Sequence, residues 1–282
     1  MYKITEKRDL APNIFLMNIE APRVAKSAKP GQFIILRNTE DGERVPLTVC
    51  DTDPVKGTVT IVVQAMGCST KELATFNEGD YVHDFVGPLG VESELLHEDI
   101  EELKNKKILF IAGGVGAAPV YPQVKWLHEH GVKADVIMGF KNKEMVILEE
   151  EMKSVSGNVF TCTDDGSYAF KGMVTAQLEE LYNQGQKYDL CICIGPMIMM
   201  KFACRLTEKL NLQTVVSMNP IMVDGTGMCG ACRITVDGET KFACVDGPEF
   251  DGHKVDFDQA MRRSGMYKAE EAQKSCRLGG TK

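Results

Sequence analysis

Three of the ten cysteines, Cys229, Cys232 and Cys244, fall in one glycine-rich stretch, N-P-I-M-V-D-G-T-G-M-C-G-A-C-R-I-T-V-D-G-E-T-K-F-A-C, from Asn219 to Cys244. Thiolates at this spacing are ligands for a metal. The plant-type [2Fe–2S] pattern is C-x4-C-x2-C followed by a distant cysteine. Counting back over four residues from Cys229 reaches Asp224 instead of a cysteine. Asp224, Cys229, Cys232 and Cys244 therefore fill the four ligand places, with a carboxylate in the first. A loop around a compact cluster needs left-handed backbone and close approach, which Gly225, Gly227 and Gly230 permit. Free N–H groups in such a loop can point at the cluster sulfurs and tune its potential.

Other chemistry must be weighed at the same residues. A C-x-x-C pair also serves redox disulfides and zinc. Zinc ribbons need a second pair or two histidines downstream, and only His253 follows. A thioredoxin-type pair opens a helix, whereas this one leads into Arg233–Val236, which reads as a strand. The cluster is the favoured expectation, and a zinc-stabilised nucleotide-binding regulatory module is the alternative. Asp224, lying before a glycine, is alternatively a loop aspartate bonded to its own turn.

Three further stretches carry phosphate chemistry. In R-V-P-L-T-V, Arg44 offers a guanidinium and Thr48 a hydroxyl; the plain alternative for Arg44 is a solvated surface charge. In M-G-C-S-T-K-E-L, Gly67, Ser69 and Thr70 precede a short helix, suiting either a pyrophosphate or a simple N-cap. In K-I-L-F-I-A-G-G-V-G-A-A-P, the buried-strand run Ile108–Ala112 leads into Gly113, Gly114 and Gly116 and then a helix reaching His130. That is the context of a dinucleotide phosphate loop. Pro119 stands where a third glycine is usual, at an allowed first-turn position.

The elements that must hold these residues are legible in outline. Ile14–Ile19, Phe33–Leu36, Thr58–Val63 and Tyr81–Phe85 are short strands broken by turn residues, predicting a small antiparallel β-barrel. Leu95–Lys107 reads as a charged connector. Ala134–Gly139, Val159–Thr163, Leu190–Ile194 and Thr214–Ser217 are further apolar strands between helices, predicting a doubly wound α/β domain. T-D-D-G-S (Thr163–Ser167) and I-G-P-M (Ile194–Met197) end two of these strands, where such sheets bind ligands. Phe257–Arg263 and Tyr267–Lys274 are short helices without a core of their own. The expected division is residues 1–98, barrel; 99–218, α/β domain; 219–250, cluster module; 251–282, a tail for partner contact. The remaining cysteines (50, 68, 162, 191, 204 and 276) read as small buried hydrophobes.

The order of these features resembles the ferredoxin reductase-like flavoprotein family. The resemblance implies FAD, with its ring along Arg44, Pro46, Leu47 and Thr48 and its pyrophosphate near Gly67, Ser69 and Thr70. It implies NAD(H) on Gly113, Gly114, Val115, Gly116, Asp165, Gly166, Gly195 and Pro196. The family commonly has Cys-Gly-Pro at the last site; here Ile194 holds that place and Cys193 precedes it, on the opposite side of the strand. No acid, base or nucleophile is singled out as catalytic.

With the cluster appended, the layout is similar to the electron-transfer subunits of dihydroorotate dehydrogenases. Over nearly the whole chain it is similar to the small subunits of NADH-dependent reduced ferredoxin:NADP oxidoreductases, which Asp224 and the long tail favour. That likeness implies an oxidoreductase subunit, preference for NADH, a larger flavin and iron–sulfur partner in a heterodimer or higher complex, electron bifurcation in that partner, and ferredoxin reached indirectly.

Composition narrows the classes. The net charge is −8, from 32 basic and 40 acidic residues, against a nucleic-acid partner. No run has the length and apolarity of a membrane span or signal peptide. Ten cysteines without a secretion signal suggest reduced thiols in the cytoplasm.

Overall fold

The computed structural model describes residues 1–267. The expected helix Tyr267–Lys274, beyond its first residue, and Cys276 lie outside the described residues. The barrel strands are β1 (Tyr2–Ala11), β2 (Ile14–Glu20), β3 (Phe33–Arg37), β4 (Arg44–Thr48), β5 (Asp51–Asp53), β6 (Thr58–Gln64), β7 (Tyr81–Val82) and β8 (Asp84–Leu89). They form two antiparallel sheets, β5-β6-β2-β1-β7 and β4-β3-β8, around a core that includes Ile4, Phe15, Met17, Ile34, Leu36, Ile61 and Phe85. Two short helices, α1 (Pro22–Ser27) and α2 (Cys68–Leu73), accompany them.

The expected strand Tyr81–Phe85 is two strands. The chain changes sheets at His83, whose N–H bonds to the carbonyls of Arg37 and Asn38, so β7 pairs with β1 and β8 with β3. Strand β1 escapes a hydrophobic reading because only Ile4 of its ten residues is buried.

Strand β3 explains its own sequence. Residues 33–36 are all buried. Ile34 and Leu36 face the barrel core, while Phe33 and Ile35 face Met222, Cys232, Ala243 and Cys244. A strand covered on both sides must be apolar at every position. Each such side chain contributes roughly 1.5–3 kcal/mol on burial.

The second unit runs through α3 (Ile100–Asn105), β9 (Ile108–Gly113), α4 (Ala117–Glu129), β10 (Ala134–Phe140), α5 (Glu149–Val155), β11 (Val159–Thr163), β12 (Phe170–Lys171), α6 (Val174–Asn183), β13 (Leu190–Ile194), α7 (Met197–Lys209) and β14 (Gln213–Ser217). The sheet order is β12-β11-β10-β9-β13-β14 with a final strand, Glu249–Asp251, added at the edge. The chain steps outward from β9 to β10 and β11, then returns to β13 on the other side of β9. This reversal is where doubly wound sheets open a ligand crevice. One face of the sheet packs on α4 and α5 through Phe110, Ile192 and Ile194, and the other on α6 and α7 through Ile111, Cys191 and Cys193. Cys193 thus faces away from Ile194, as strand alternation requires.

Leu95–Lys107 is not a bare connector. It folds as a 3-10 turn, Glu94–His97, and α3, which Asp99 caps by accepting from the N–H groups of Glu101 and Glu102. Leu95 and Leu103, spaced among the charges, enter the α/β core.

The last elements are the hairpin β15 (Arg233–Val236) and β16 (Glu239–Phe242), then β17 (Glu249–Asp251) and α8 (Phe257–Arg263). Strand β17 pairs antiparallel with β14. The cysteine loop is therefore tethered at both ends to the edge of the α/β sheet, while its middle rests on β3 of the barrel. Phe257 and Ala260 anchor α8 in the α6–α7 core. Among the described residues no helix is long and apolar enough to cross a membrane.

Candidate functional site

The four metal-ligand candidates gather on one loop. Cys232 and Cys244 are buried with their sulfurs 3.2 Å apart, while Cys229 is exposed. Gly225, Gly227 and Gly230 have φ of +77°, +85° and +65°, the left-handed turns that favour glycine. Asp224 is joined to Cys229 directly: its Oδ2 accepts from the Cys229 N–H at 2.7 Å, and its Oδ1 from the Thr226 N–H at 2.5 Å. The N–H of Thr226 first, then Cys229, holds the Asp224 carboxyl at about 2, so it is ionised at neutral pH. The turn-bonded role considered for this aspartate is thus the one visible here. Ligation would require an oxygen to leave its N–H partner or to share its second lone pair.

The donor set fits an iron–sulfur cluster in chemistry: three thiols and a charged carboxylate on one glycine frame. Among the described residues no three His, Cys, Asp or Glu side chains converge tightly enough to hold one metal ion. A two-iron cluster instead divides four ligands between two metals.

The flavin candidates adjoin this loop. Arg44 opens β4, and its Nη2 donates to the backbone carbonyl of Asp224 at 3.4 Å. Pro46, Leu47 and Thr48 follow on the same half-exposed strand, paired with Ile35, Ile34 and Phe33. Ser69 Oγ donates to Glu43 Oε2 at 2.8 Å, which brings the Gly67–Thr70 turn beside Arg44. Thr70 Oγ1 accepts from the N–H groups of Met66 and Gly67 at 3.0 and 3.1 Å. Capping α2 is therefore what Thr70 does here, and a pyrophosphate at this turn must displace these bonds. Asn38, 3% exposed, donates to the Ser69 carbonyl at 2.7 Å, yet its Oδ1 is buried without a partner among the described residues. An orphaned polar atom beside the turn fits a ligand-completed cradle.

The nicotinamide candidates meet at the sheet's carboxyl edge. A Cβ on Gly116 would lie 2.3 Å from the Ile194 carbonyl oxygen, and one on Gly195 3.1 Å from the Gly113 Cα. These glycines, with Val115 and Pro196, close β9 against β13 at the switch point. Gly114 differs: its φ is +55° and nothing lies within 4 Å of its Cβ position. Asp165 and Gly166 stand one strand further out, beyond β10. Asp165 Oδ1 accepts from the Ser167 N–H and hydroxyl at 2.9 and 2.7 Å. The Lys143 N–H donates to Ser167 Oγ at 2.8 Å, so Lys141 and Lys143 border the same edge.

Cys50, Cys162, Cys191 and Cys204 are buried as expected. Cys68 is not: it is half-exposed at the start of α2, because the first turn of that helix faces outward.

Two features escaped sequence reasoning. Glu249 accepts from Ser93 Oγ at 2.9 Å and Gln123 Nε2 at 2.8 Å, joining the cysteine module to the residue that opens the 3-10 turn and to α4. Burial raises its carboxyl above the ordinary range. Arg263 reaches from α8 to the Ala231 carbonyl, 3.2 Å away. Both contacts span long sequence separations, which composition and spacing do not reveal.

Comparison with known proteins agrees with this arrangement. Residues 219–256 match the iron-sulfur cluster binding domain of dihydroorotate dehydrogenase B, and residues 110–205 match the oxidoreductase NAD-binding domain. The chain is 67% identical over 96% of its length to an uncharacterised protein of Clostridium beijerinckii, 92% of which is covered. It is 45% identical, over 95% of this chain and 92% of the other, to a homologue of the dihydroorotate dehydrogenase B electron transfer subunit from Thermotoga maritima. A solved structure of NADH-dependent reduced ferredoxin-NADP oxidoreductase, described in terms of flavin-based electron bifurcation, superposes with a TM-score of 0.90. That match has 42% identity and covers 99% of this chain and 98% of the other. The barrel, the NAD-binding α/β unit and the iron–sulfur loop thus occur together in its relatives, and the chain belongs to the family of oxidoreductase electron-transfer subunits typified by that of dihydroorotate dehydrogenase B.

Proposed function

We propose that this chain passes electrons between NAD(H), FAD and a [2Fe–2S] cluster, to or from a larger flavin and iron–sulfur partner in an electron-bifurcating ferredoxin:NADP oxidoreductase. The observation carrying this reading is the superposition with the ferredoxin-NADP oxidoreductase structure over both chains almost entirely, cluster loop included. FAD supplies two-electron hydride chemistry and the cluster one-electron chemistry when bound.

The chain's own residues bind and orient. Gly114 leaves room for a pyrophosphate at the end of β9, and Gly113, Gly116 and Gly195 keep β9 and β13 close. Arg44 is placed to meet a flavin phosphate, and its hydrogen bond to Asp224 fixes the barrel against the cluster loop. Phe33 and Ile35 exclude water between the barrel and Cys232 and Cys244. Asp224, Cys229, Cys232 and Cys244 would hold the cluster. The division into residues 1–98, 99–218, 219–250 and 251–282 follows these roles, and the cytoplasm suits the thiols.

Purification with the native partner, followed by flavin, iron and sulfide analysis, tests the reading. NADP reduction that requires reduced ferredoxin and NADH together is the expected activity. Dihydroorotate oxidation by the partner would instead favour the second reading, a dihydroorotate dehydrogenase subunit, which the name of the Thermotoga relative supports. NADH is the expected nucleotide; about a tenfold advantage in kcat/KM for NADPH, roughly 1.4 kcal/mol, would overturn that preference and point to Lys141 and Lys143.

A further inference from the structure

Arg263 ends α8, a helix whose N-terminus is capped by Asp256, which accepts from the Gln259 N–H at 2.9 Å. Phe257 and Ala260, six and three residues earlier, are buried among α6 and α7, so the direction of the Arg263 stem is set by a packed helix. Its Nη2 donates to the carbonyl of Ala231 at 3.2 Å. Ala231 lies between the two cysteines of the C-x-x-C pair. The Arg263 Nε is buried with no partner among the described residues, and so is the Oε1 of Gln259, one helical turn earlier. A buried charged group with spare donor capacity is costly unless it serves something.

We propose that Arg263 is a positioning residue for the iron–sulfur loop, holding the Cys229–Cys232 turn through Ala231 and raising the reduction potential of the cluster bound there. This rests on the proposed cluster assignment. The reasoning is electrostatic. Accepting an electron makes the cluster more negative, and a partly desolvated guanidinium one peptide away stabilises that charge. A planar fork is suited to fixing a carbonyl while its remaining N–H groups stay directed into the buried space.

Arg233 provides an internal contrast. It donates to the neighbouring Gly230 carbonyl at 3.2 Å, within its own turn and at the surface. Solvent and salt screen that charge. Two arginines therefore touch consecutive carbonyls of one loop, but only Arg263 does so from a separate packed element.

The test uses the full chain in its native complex. Arg263→Gln, Arg263→Lys and Arg233→Gln are compared by EPR-monitored redox titration, iron and sulfide content, and rate of cluster loss under a chelator. The expected result is a lower midpoint potential and faster cluster loss in Arg263→Gln. Arg263→Lys should recover the potential but not the full retention, and Arg233→Gln should match the wild type. Cluster loss from Arg263→Gln with FAD content and melting temperature preserved also supports the proposal. Equal potential, spectrum and retention in Arg263→Gln and wild type overturn it, as does an equal shift in Arg233→Gln. If Arg263→Gln does not fold, Arg263→Lys decides: wild-type cluster retention overturns the assignment, and faster loss with FAD retained supports it. A wild-type chain lacking the cluster defeats the proposed function and this inference together, and so is distinguishable from failure of the inference alone.

Discussion

Two glycine-rich loops carry two candidate cofactor sites of this molecule, and their glycines are there for different reasons. In the dinucleotide loop, Gly113 and Gly116 have ordinary negative φ and are needed because of close neighbours: the side chains of Met199 and Pro196 press on Gly113, and the backbone of Ile194 and Gly195 passes against Gly116. In the cysteine loop, Gly225, Gly227 and Gly230 have left-handed φ and are needed for their conformation. One loop is fixed by the packing of β9 on β13. The other is a turn held by N–H groups that donate to the Asp224 carboxylate, by the Arg44 guanidinium that donates to the Asp224 carbonyl, and by contact with β3. A loop fixed by close packing should fail with its domain, whereas a loop fixed by turn geometry should fail locally.

Gly116→Val should give the largest effect. Its Cβ would sit 2.3 Å from the Ile194 carbonyl oxygen, a backbone atom that cannot move alone, and a cost of ~3 kcal/mol, the upper end of overpacking penalties, is expected. Calorimetry should show the α/β unit melting early, with NADH binding lost alongside. A normally stable variant would contradict the packing account.

Asp224→Ala comes next. It leaves the N–H groups of Thr226 and Cys229 without their acceptor and removes the first ligand candidate. The cluster should become labile while FAD stays, so that NADH still reduces a quinone. Asp224→Cys should keep the cluster with a changed EPR spectrum and potential. Wild-type spectra and potentials in both variants would remove Asp224 from the ligand set.

Gly225→Ala should be milder. Left-handed strain costs ~1–2 kcal/mol, and the new methyl meets only the movable ends of Ile35 and Leu89, at 2.7 and 2.8 Å. Faster iron loss under a chelator, with barrel melting nearly unchanged, is expected. Gly114→Ala is its counterpart in the other loop: φ of +55° and open space should weaken NADH binding about five- to tenfold, ~1–1.4 kcal/mol, without changing FAD content. Unchanged affinity would mean that the pyrophosphate does not approach this residue.

Much of this contrast is visible before any coordinates. The apolar runs of β9 and β13, the glycines after them and the spacing of Asp224, Cys229, Cys232 and Cys244 all report local requirements, so the sequence displays them. The strand β1 does not announce itself because its charged side chains face solvent on both sides of Ile4. The helix α3 was hidden because its two core leucines are outnumbered by charges. Residues whose importance comes from distant partners are the hardest to see. Glu249 gains its meaning from Ser93 and Gln123, and Arg263 from Ala231. The split of β7 from β8 at His83 depends on which sheet each half joins, which no local pattern encodes.

Glu249→Gln should give the smallest effect and reports on the junction between the loops. Burial raises the Glu249 carboxyl, with Glu94 adding like charge and the hydroxyl of Ser93 and amide of Gln123 opposing it. The folded state therefore favours the protonated acid. That contribution is complete below the ordinary carboxyl pKa and fades as pH rises through the raised value. Glutamine does not titrate, so the melting temperature of the wild type relative to the variant should fall from acid to mildly alkaline pH. The opposite slope would mean that the buried carboxylate is stabilised as an anion.

In the proposed function one chain joins a flavin to an iron–sulfur cluster through the contact of β3 with the cysteine loop. Anaerobic titration of the purified full-length chain with NADH, followed by visible absorbance and EPR together, tests it most directly. Bleaching of flavin absorbance accompanied by the EPR signal of a reduced [2Fe–2S] cluster, both reversed by an oxidant, is the expected result. A colourless chain containing zinc, or a flavin that bleaches with no iron signal appearing, would contradict it.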